Sequence, residues 1–313
     1  MSAWKILLTD GLEENGKAIL RASAEVTDQP GITAEDLLKV VGEYDALIVR
    51  GRTKVTPEVF AAGKKLKVVG RAGVGVDNIN LPAAKESKVT VVNSPLATTV
   101  AVAELAMGLM LSSVREIARA DASMKAGKWL KKEFEGAELC GKTLGVIGFG
   151  RIGSAVAARA KAFEMKILAY DPLIPAEEIK KRGGEPATLD EVYKNADFIT
   201  MHMPLTADSK GMLNAEAFGK MKQGVYIVCA ARGGVIDEAA LLDALNSGKV
   251  AGAALDVFSA EPPGLTDLVA HPKVTNTPHI GAQTVEAQAR AANDIAEEVL
   301  NALNDKPLRW KVA

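Results

Sequence analysis

Short apolar runs alternate with amphipathic stretches along most of the chain, and this alternation predicts the secondary structure. Runs of a few residues rich in Val, Ile and Leu are typical of strands that are buried on both faces. A chain that alternates such strands with helices folds as a parallel sheet covered by helices. The predicted strands are Lys5–Thr9, Ala46–Arg50, Lys67–Arg71, Val89–Asn93, Leu144–Ile147, Lys166–Tyr170, Phe198–Met201, Val225–Cys229, Ala251–Leu255 and Lys273–Thr277. The shorter helices predicted between them are Glu35–Val41, Thr56–Gly63, Ser154–Phe163, Leu189–Asn195, Asn214–Met221 and Glu238–Ser247.

Two longer helical segments predict how the chain divides into domains. A helical region runs from Ala97 to about Ala126, and its almost entirely apolar first half must be buried, either in the core or against a partner subunit. An amphipathic helix from about Thr284 to Leu303 is long enough to return to the first domain. We therefore predict two doubly wound parallel-sheet domains separated by a cleft, with a hinge where the chain crosses twice. The first comprises residues 1–96 and 284–313, and the second comprises residues 97–283.

A glycine-rich turn, Gly148-Phe-Gly-Arg-Ile-Gly153, directly follows the predicted strand Leu144–Ile147 and precedes a helix. Glycines at this spacing let the backbone turn sharply, approach a pyrophosphate and pack the helix against the strand. The next strand ends at Asp171, 18 residues after Gly153, where a carboxylate can hold the ribose hydroxyls of a dinucleotide. The residues after Asp171 bring no cation for a 2′-phosphate. The sequence therefore predicts a dinucleotide site that prefers NAD to NADP.

Composition and charge exclude several other classes of function. The chain is 48% hydrophobic and 25% charged over 313 residues, which is typical of a globular protein with a sizeable core. The formal net charge of −1 offers no basic field to nucleic acid or to an anionic membrane, so we expect neither as a partner. The N-terminal segment is too short and polar for a signal peptide, and Cys140 and Cys229 form no pair motif. We therefore expect a cytoplasmic protein without catalytic cysteines, and no spacing indicates a metal site.

Cations collect after the strands of the first domain. Arg50, Arg52 and Lys54 follow one predicted strand, and Arg71 ends another. Ligands of open α/β sheets bind at the carboxyl ends of the strands, and guanidinium groups suit phosphate or carboxylate. These side chains are either anion ligands or ordinary solvated surface charges.

Three polar residues, Arg232, Glu261 and His279, follow predicted strands of the second domain. A hydride exchange with nicotinamide needs a group that takes or gives the hydroxyl proton, and histidine suits this near neutral pH. A carboxylate beside the imidazole would favour its charged form, and an arginine would bind an anionic substrate and polarise its carbonyl. Of the other histidines, His202 ends a strand and is expected to line the cofactor groove without chemistry, while His271 indicates a surface loop.

Four motifs in order resemble the D-2-hydroxyacid dehydrogenase family over essentially the whole chain. They are Gly148–Gly153, Ala231-Arg-Gly-Gly-Val-Ile-Asp237, Leu255-Asp-Val-Phe-Ser-Ala-Glu-Pro262 and Thr277-Pro-His-Ile-Gly-Ala282. The resemblance implies a flavodoxin-like substrate domain and a Rossmann NAD-binding domain. It also implies that Arg232 binds the substrate carboxylate and carbonyl, that His279 is the acid/base and that Glu261 orients it. The implied cofactor contacts are Gly148, Gly150, Arg151, Ile152, Gly153, Asp171, Met203, Pro204, Ala230, Asp256 and Gly281.

Three further segments are most similar to the members of this family that oxidise D-3-phosphoglycerate. They are Val49–Val55, Arg71–Asn78 and Met124–Trp129. The similarity implies NAD-linked formation of 3-phosphohydroxypyruvate, the entry to serine synthesis, by a homodimer or homotetramer. The backbone of Val74 and Gly75 would meet the substrate carboxylate, and Arg50 and Arg71 would lie near its phosphate.

Two departures from that pattern qualify these expectations. Gly51-Arg52 stands where the related sequences usually have a small pair such as Ser-Ala, so we expect phosphate recognition to differ in detail. The sequence ends at Ala313 without a C-terminal regulatory module, so we expect no serine inhibition through such a domain.

Two other functions stay open at this point. A reductase of glyoxylate, hydroxypyruvate or another 2-keto acid would use the same scaffold. A non-enzymatic NAD-sensing corepressor is the alternative from another class. It would not need Arg232, Glu261 and His279 together, and it would need a basic stripe for DNA, which this sequence lacks.

Overall fold

The structure is a computed structural model that describes residues 4–313 of the chain. Every pairing between its strands is parallel. The strands are β1 (Trp4–Leu8), β2 (Ala24–Asp28), β3 (Ala46–Val49), β4 (Val68–Arg71), β5 (Thr90–Asn93), β6 (Thr143–Ile147), β7 (Lys166–Tyr170), β8 (Glu185–Pro186), β9 (Phe198–Met201), β10 (Val225–Cys229), β11 (Val250–Leu255) and β12 (Val274–Asn276).

The helices are α1 (Glu14–Arg21), α2 (Ala34–Val40), α3 (Pro57–Ala62), α4 (Leu81–Glu86), α5 (Thr99–Val114), α6 (Ile117–Lys125), α7 (Arg151–Ala162), α8 (Ala176–Lys181), α9 (Leu189–Asn195), α10 (Ala215–Lys220), α11 (Glu238–Asn246), α12 (Asp267–Ala270) and α13 (Val285–Leu303). Short 3₁₀ turns lie at Val41–Glu43 and Lys131–Glu133. No helix in the described part of the chain is both long and apolar enough to cross a bilayer.

Polar side chains determine where many of these helices begin. At the start of α9, Thr188 accepts a hydrogen bond from the Glu191 backbone, and the Glu191 carboxylate accepts one from the Thr188 backbone. This reciprocal pair satisfies two N–H groups that the first helical turn leaves without partners. Single caps of the same kind begin α2, α4, α10, α11, α12 and α13 at Thr33, Asn80, Asn214, Asp237, Thr266 and Thr284.

The chain divides into two units, each with its own sheet. Unit 1 is Met1–Thr98 with Ala282–Ala313, and unit 2 is Thr99–Gly281. The sheet of unit 1 has the order β2-β1-β3-β4-β5, and that of unit 2 has the order β12-β11-β10-β9-β6-β7-β8. These are the flavodoxin-like and Rossmann strand orders, the second with an added edge strand. The predicted fold class of two parallel α/β sheets is confirmed, whereas the domain boundaries at 96/97 and 283/284 stay a prediction.

The core of unit 1 lies on both faces of its sheet. On one face, Ile6 and Leu8 of β1 pack in a cluster with Ile295 and Val299 of α13, and all four are fully buried. Leu7 belongs to the cluster on the opposite face. Successive residues of a strand point to opposite faces, so a continuous apolar run serves both sides. The final helix is therefore part of the core of unit 1.

Unit 2 is built around β6, which lies between β7 and β9. Leu144 and Val146 of β6 pack in one cluster with α5 and α7, while Ile147 belongs to the cluster on the other face. Met107 and Met110 of α5 are buried in this core. The apolar first half of the predicted helical region therefore packs inside unit 2.

The helical region predicted from Ala97 to Ala126 is interrupted. The helix α5 ends at Val114 and α6 begins at Ile117, because Glu116 adopts a left-handed conformation with φ of 51°. A left-handed residue cannot continue a right-handed helix. The break carries no glycine or proline, so the sequence offers no usual signal for it.

Candidate active site

The glycine-rich turn lies between β6 and α7 and has the shape that a pyrophosphate needs. Gly148 has φ of +89°, and a Cβ there would lie 2.6 Å from the His202 carbonyl oxygen. A Cβ at Gly153 would lie 2.1 Å from the Gly148 carbonyl oxygen, so both positions require glycine. Gly150 is the N-cap of α7, makes no side-chain cap and has open space around its Cα. The N-terminus of a twelve-residue helix is thus left uncovered, which fits an anionic ligand.

Asp171 follows β7 directly and reaches the same turn. Its Oδ2 accepts a hydrogen bond of 2.8 Å from the Phe149 backbone, and its Oδ1 accepts one of 2.9 Å from the Leu173 backbone. Each carboxylate oxygen can accept more than one hydrogen bond, so both retain capacity for a ribose hydroxyl. Arg182 also reaches the turn, because it donates to the Phe149 carbonyl at 3.2 Å while pairing with Glu178. This cation is distant in sequence from Asp171, and its proximity could not be inferred from the residues that follow the aspartate.

The structure brings two of the three predicted catalytic residues into contact. The Nδ1 atom of His279 lies 2.7 Å from Oε2 of Glu261, and the other oxygen of Glu261 accepts a hydrogen bond from the Phe258 backbone. A carboxylate at Nδ1 favours the tautomer that carries the proton there, which leaves Nε2 for proton exchange. Both side chains keep substantial exposure, 47% for His279 and 37% for Glu261. The imidazole is therefore oriented by a carboxylate and still accessible.

The loop that carries His279 is held by Asp256, which directly follows β11. Asp256 is 1% exposed, and its carboxylate accepts hydrogen bonds from the Thr277 hydroxyl and from the backbones of Ile280 and Gly281 at 2.6 to 2.9 Å. His279 itself has a positive φ of 53°, which costs energy for a residue other than glycine. Asp256, predicted as a cofactor contact, thus holds the loop that presents the histidine, and Gly281, predicted as another, is one of the residues that it binds.

Arg232 lies on the loop after β10 and donates a hydrogen bond of 2.7 Å to the Ala231 carbonyl. The next residue, Gly233, packs so tightly that a Cβ would lie 1.8 Å from the Phe258 carbonyl oxygen. Phe258 is the residue whose backbone binds Glu261. The arginine loop and the carboxylate loop are therefore in direct backbone contact. The close approach explains why a glycine follows the arginine.

The remaining predicted cofactor residues line the same edge of the sheet. His202, Met203 and Pro204 follow β9, and Ala230 follows β10. Nε2 of His202 lies 2.9 Å from the Thr200 hydroxyl, and burial lowers the pKa of His202 to about 4. A histidine that stays neutral at physiological pH lacks the acidic proton of an imidazolium, so His202 is not suited to be the acid. Burial likewise raises the pKa of Cys229 to about 11, so its thiol stays protonated.

In unit 1, the loop from Arg50 to Thr53 is held from two sides. Asp10 accepts hydrogen bonds from the backbones of Arg50 and Thr53, and the Asn78 amide donates to the carbonyls of the same two residues. Arg52 donates to the Thr9 and Ile32 carbonyls and pairs with Asp10 at 3.1 Å. The guanidinium of Arg52 is therefore engaged by the protein, and its role here is to hold the loop.

The second predicted anion loop follows β4. A Cβ at Gly73, which has φ of +140°, would lie 1.4 Å from Nη1 of Arg71. The guanidinium of Arg71 thus lies directly against the loop, where it donates to the Ala72 carbonyl at 3.1 Å. Only glycine permits this arrangement, both for its conformation and for its lack of a side chain. The predicted substrate residues Val74 and Gly75 therefore lie on one short loop, and the side chain of Arg71, the last residue of β4, packs against it.

Several residues that hold these loops were missed by the sequence analysis. Asp10, Asn78, Asn93 and Ser94 bind backbone groups of the two loops in unit 1, and Asp10, Asn93 and Ser94 are polar residues just after a strand or at its end. Their position is a signal that the sequence does carry. Which backbone group each one binds is not encoded in any local pattern.

Known proteins are similar to this chain over nearly its whole length. The family model described as "D-isomer specific 2-hydroxyacid dehydrogenase, NAD binding domain" matches residues 107–281. D-3-phosphoglycerate dehydrogenase 2, chloroplastic, of Arabidopsis thaliana is 51% identical over 96% of the chain, but the match covers 48% of that protein. The chain spans about half the length of the curated phosphoglycerate dehydrogenases it matches.

Two further proteins match over their full or nearly full length. The hydroxypyruvate reductase of Thermotoga maritima is 47% identical over 97% of the chain and 99% of that protein. A D-lactate dehydrogenase structure from Aquifex aeolicus in complex with NAD and lactic acid has a TM-score of 0.83 at 30% identity, with 96% of each chain covered.

Proposed function

This chain belongs to the D-isomer specific 2-hydroxyacid dehydrogenase family, and on that premise we propose that it oxidises D-3-phosphoglycerate to 3-phosphohydroxypyruvate with NAD. The contact of 2.7 Å between His279 and Glu261 is the observation that carries the proposal. The identity of 51% to a phosphoglycerate dehydrogenase over 96% of the chain supports this substrate.

The first role that we assign to the protein's own residues is the transfer of the proton of the substrate hydroxyl. In the oxidation, Nε2 of neutral His279 accepts the proton of the substrate hydroxyl, and the carboxylate of Glu261 stabilises the imidazolium that forms. In the reverse direction the same imidazolium donates the proton to the carbonyl oxygen. NAD, when bound, supplies the acceptor for the hydride that leaves C2.

Substrate orientation is assigned to Arg232. A guanidinium can bind a carboxylate through two parallel hydrogen bonds and can polarise the neighbouring carbonyl. The loop of Arg232 lies in backbone contact with the loop of Glu261, which supports a joint role in unit 2.

Cofactor binding is assigned to the turn Gly148–Gly153 and to Asp171. The uncovered N-terminus of α7 fits a pyrophosphate, and a carboxylate at the end of β7 fits a ribose with free hydroxyls. A 2′-phosphate would be repelled by Asp171. We therefore expect NAD to be preferred to NADP.

Anion binding in unit 1 is assigned to the loops after β3 and β4. The backbone of Val74 and Gly75 would bind the substrate carboxylate, while Arg50 and Arg71 would bind its phosphate. Arg71 lies against this loop, and Arg50 lies on a loop fixed by Asp10 and Asn78. The guanidinium of Arg71, held by its hydrogen bond to the Ala72 carbonyl, would lose little freedom on binding a phosphate.

Steady-state kinetics with a panel of 2-hydroxy and 2-keto acids, with and without a phosphate, tests the proposal. We expect the highest kcat/KM for D-3-phosphoglycerate and its keto product, and a higher kcat/KM with NAD than with NADP. Arg232→Ala should abolish turnover but leave the dissociation constant of NADH unchanged. A purified protein that turns over none of these acids, or that prefers NADP, would contradict the proposal.

A second function is favoured by one observation. The Thermotoga maritima hydroxypyruvate reductase is 47% identical to this chain over 97% of the chain. A reductase of hydroxypyruvate or glyoxylate would not need the phosphate ligands. Arg71→Ala distinguishes the two, because it should impair phosphorylated substrates far more than unphosphorylated ones in a phosphoglycerate dehydrogenase.

The oligomeric state is proposed to be a homodimer or homotetramer. Large apolar side chains on α6 and just after it are exposed, with Trp129 at 76%, Met124 at 55% and Ile117 at 52%. The exposure of three large apolar side chains within thirteen residues of sequence supports a surface that another subunit covers. Light scattering coupled to size exclusion measures the mass, and a monomer at micromolar concentration would contradict this.

A further inference from the structure

The substrate loop of unit 1 leaves the sheet beside the end of β5. The parallel strands β4 and β5 pair with Arg71 opposite Asn93, so both strands end at the same level. The loop that begins at Ala72 and the residues Asn93 and Ser94 are therefore neighbours at the carboxyl edge of the sheet.

Three hydrogen bonds join the two segments. The Asn93 side-chain amide donates to the Val74 carbonyl at 2.7 Å, and the Ser94 backbone N–H donates to the Gly73 carbonyl at 3.0 Å. The Gly73 N–H in turn donates to the Ser94 hydroxyl oxygen at 2.8 Å. Ser94 is fully buried, so its hydroxyl has no alternative partner in solvent. Two successive carbonyls of the loop are thus turned toward the end of β5.

Because the peptide bond is planar, the orientation of these two carbonyls also fixes the direction of the N–H groups of the residues that follow them. In a planar trans peptide, the C=O of one residue and the N–H of the next point in opposite directions. The Val74 N–H therefore points away from Ser94, and the Gly75 N–H points away from Asn93. Within the described residues of unit 1, neither N–H donates a hydrogen bond. Successive N–H groups turned to the same side form a concavity that binds an anion.

We propose that Asn93 and Ser94 are positioning residues that orient the Val74 and Gly75 N–H groups toward the carboxylate of the substrate. This inference rests on the proposed function, in which these N–H groups bind that carboxylate. Neither residue touches the substrate. Each acts through a carbonyl of the loop, and Ser94 acts through the Gly73 N–H as well.

The main chain of Asn93 is itself fixed from the opposite side. Its N–H donates to the Trp310 carbonyl at 3.3 Å, in a C-terminal segment that pairs antiparallel with β5. That segment is held by Glu298 of α13, whose carboxylate accepts from the backbones of Arg309 and Trp310 at 3.0 Å. The main chain of Asn93 is therefore fixed, so its side-chain amide can hold the loop that carries Val74 in one position.

The proposal predicts an effect on affinity that does not depend on the phosphate. Every substrate and analogue of this enzyme would share the carboxylate, so Asn93→Ala should raise KM about tenfold for 3-phosphohydroxypyruvate and for hydroxypyruvate alike. Ser94→Ala removes only the acceptor of the Gly73 N–H and keeps the backbone donor to the Gly73 carbonyl, so it should raise both KM values by a smaller factor. The inhibition constant of oxamate, a carboxylate analogue without phosphate, should rise by a similar factor. We expect kcat to change by less than about threefold, since the proton and hydride steps use other residues. The dissociation constant of NADH, followed by fluorescence, should stay unchanged.

A matched control separates positioning from general loss of stability. Asn15 lies in the same unit and donates from its side-chain amide to the Ala289 carbonyl, far in sequence from the loop. Asn15→Ala should leave both KM values and the oxamate constant unchanged, even if it lowers the midpoint of thermal unfolding. Unchanged KM and oxamate constants in folded Asn93→Ala and Ser94→Ala proteins would overturn the inference. Absence of turnover in the unmodified protein would instead overturn the proposed function.

Discussion

At the scale of single residues, the proposed chemistry depends on a histidine that the backbone holds in a costly conformation. His279 has φ of 53°, and Asp256 fixes the two residues that follow it through their N–H groups. A left-handed conformation outside glycine persists only where the surroundings impose it. The hydrogen bonds that the buried carboxylate of Asp256 accepts therefore offset the cost of this conformation and keep the imidazole of His279 beside Glu261.

Gly233 is the residue whose replacement we expect to be most damaging to the site. A Cβ in Gly233→Ala would lie 1.8 Å from the Phe258 carbonyl oxygen, so one of two backbone segments must move. Displacement of the Arg232 or Glu261 loop by about 1 Å should lower kcat/KM by about 100-fold or more.

Gly219 provides the matched control for that change. It lies on α10 and a Cβ there would meet nothing within 4 Å. Gly219→Ala should keep full activity and raise stability by up to about 1 kcal/mol, because alanine favours a helix. Activity assays and urea unfolding of both variants give the answer. Gly233→Ala with normal kcat/KM would show that the close approach does not matter.

His202 should make the stability of unit 2 depend on pH. Burial lowers the pKa of His202 to about 4 in the folded protein, whereas the unfolded chain has the ordinary value near 6.5. Between these pH values the unfolded state binds more protons, so the free energy of unfolding falls as the pH falls. From pH 6.5 to pH 5 this loss amounts to at most about 2 kcal/mol.

The measurement compares the unmodified protein with His202→Asn in urea at pH 7.5 and pH 5. The variant should gain stability relative to the unmodified protein as the pH is lowered. Burial also lowers the pKa of His271, so His271→Asn should gain relative stability in the same direction. Parallel pH dependence of His202→Asn and the unmodified protein would refute the burial of an uncharged imidazole at this position.

The sequence alone was enough to predict candidate residues whose side chains would act directly in the reaction. Glu261 and His279 stand out because each follows a strand and because an imidazole near a carboxylate has an obvious use. Asn93 and Ser94 do not stand out, since their effect is on the direction of a carbonyl. That direction depends on the strand register of Arg71 with Asn93, which is set by tertiary structure.

At the scale of secondary structure, buried strands were predicted better than exposed ones. Three predicted strands, Lys166–Tyr170, Phe198–Met201 and Val225–Cys229, have the observed bounds. The edge strand β2 went unrecognised, because its residues are partly exposed and its sequence, Ala-Glu-Val-Thr-Asp, has no apolar run. A hydrophobic pattern indicates which residues are buried, and an edge strand is only partly buried, so the pattern is weak there.

The C-terminal segment gives a prediction about one element. Glu298 is fully buried and binds the side chain and the backbone N–H of Arg309 together with the backbone N–H of Trp310. Glu298→Ala leaves these donors without their acceptor, so it should lower the free energy of unfolding of unit 1 by about 1–3 kcal/mol.

The neighbouring Glu297 is a close control, because it also pairs with Arg309, at 2.8 Å. Its side chain is 51% exposed, so water competes for the pair, and Glu297→Ala should cost less than about 1 kcal/mol. Equal losses in the two variants, measured by urea unfolding, would mean that burial of Glu298 adds nothing to the anchoring of the segment.

At the scale of the whole molecule, two units with separate cores share one chain. The apolar clusters of unit 1 lie around β1, β3 and β4, and those of unit 2 lie around β6, β9 and β10. The glycine-rich turn, Asp171 and the His279–Glu261 pair belong to unit 2, while the two anion loops belong to unit 1. The proposed cofactor residues and the proposed phosphate ligands are therefore built on different cores.

This division predicts where NADH should stabilise the protein. A ligand that binds only the folded state raises its stability by about 2.7 kcal/mol at a concentration of 100 times the dissociation constant. If the site lies on unit 2 and the cores open separately, the amides of β6, β9 and β10 should exchange with solvent about 100-fold more slowly with NADH. The amides of β1 and β3 in unit 1 should slow by less than about threefold. Hydrogen exchange followed by mass spectrometry resolves these strands, and equal slowing in both units would show that the two cores open as one.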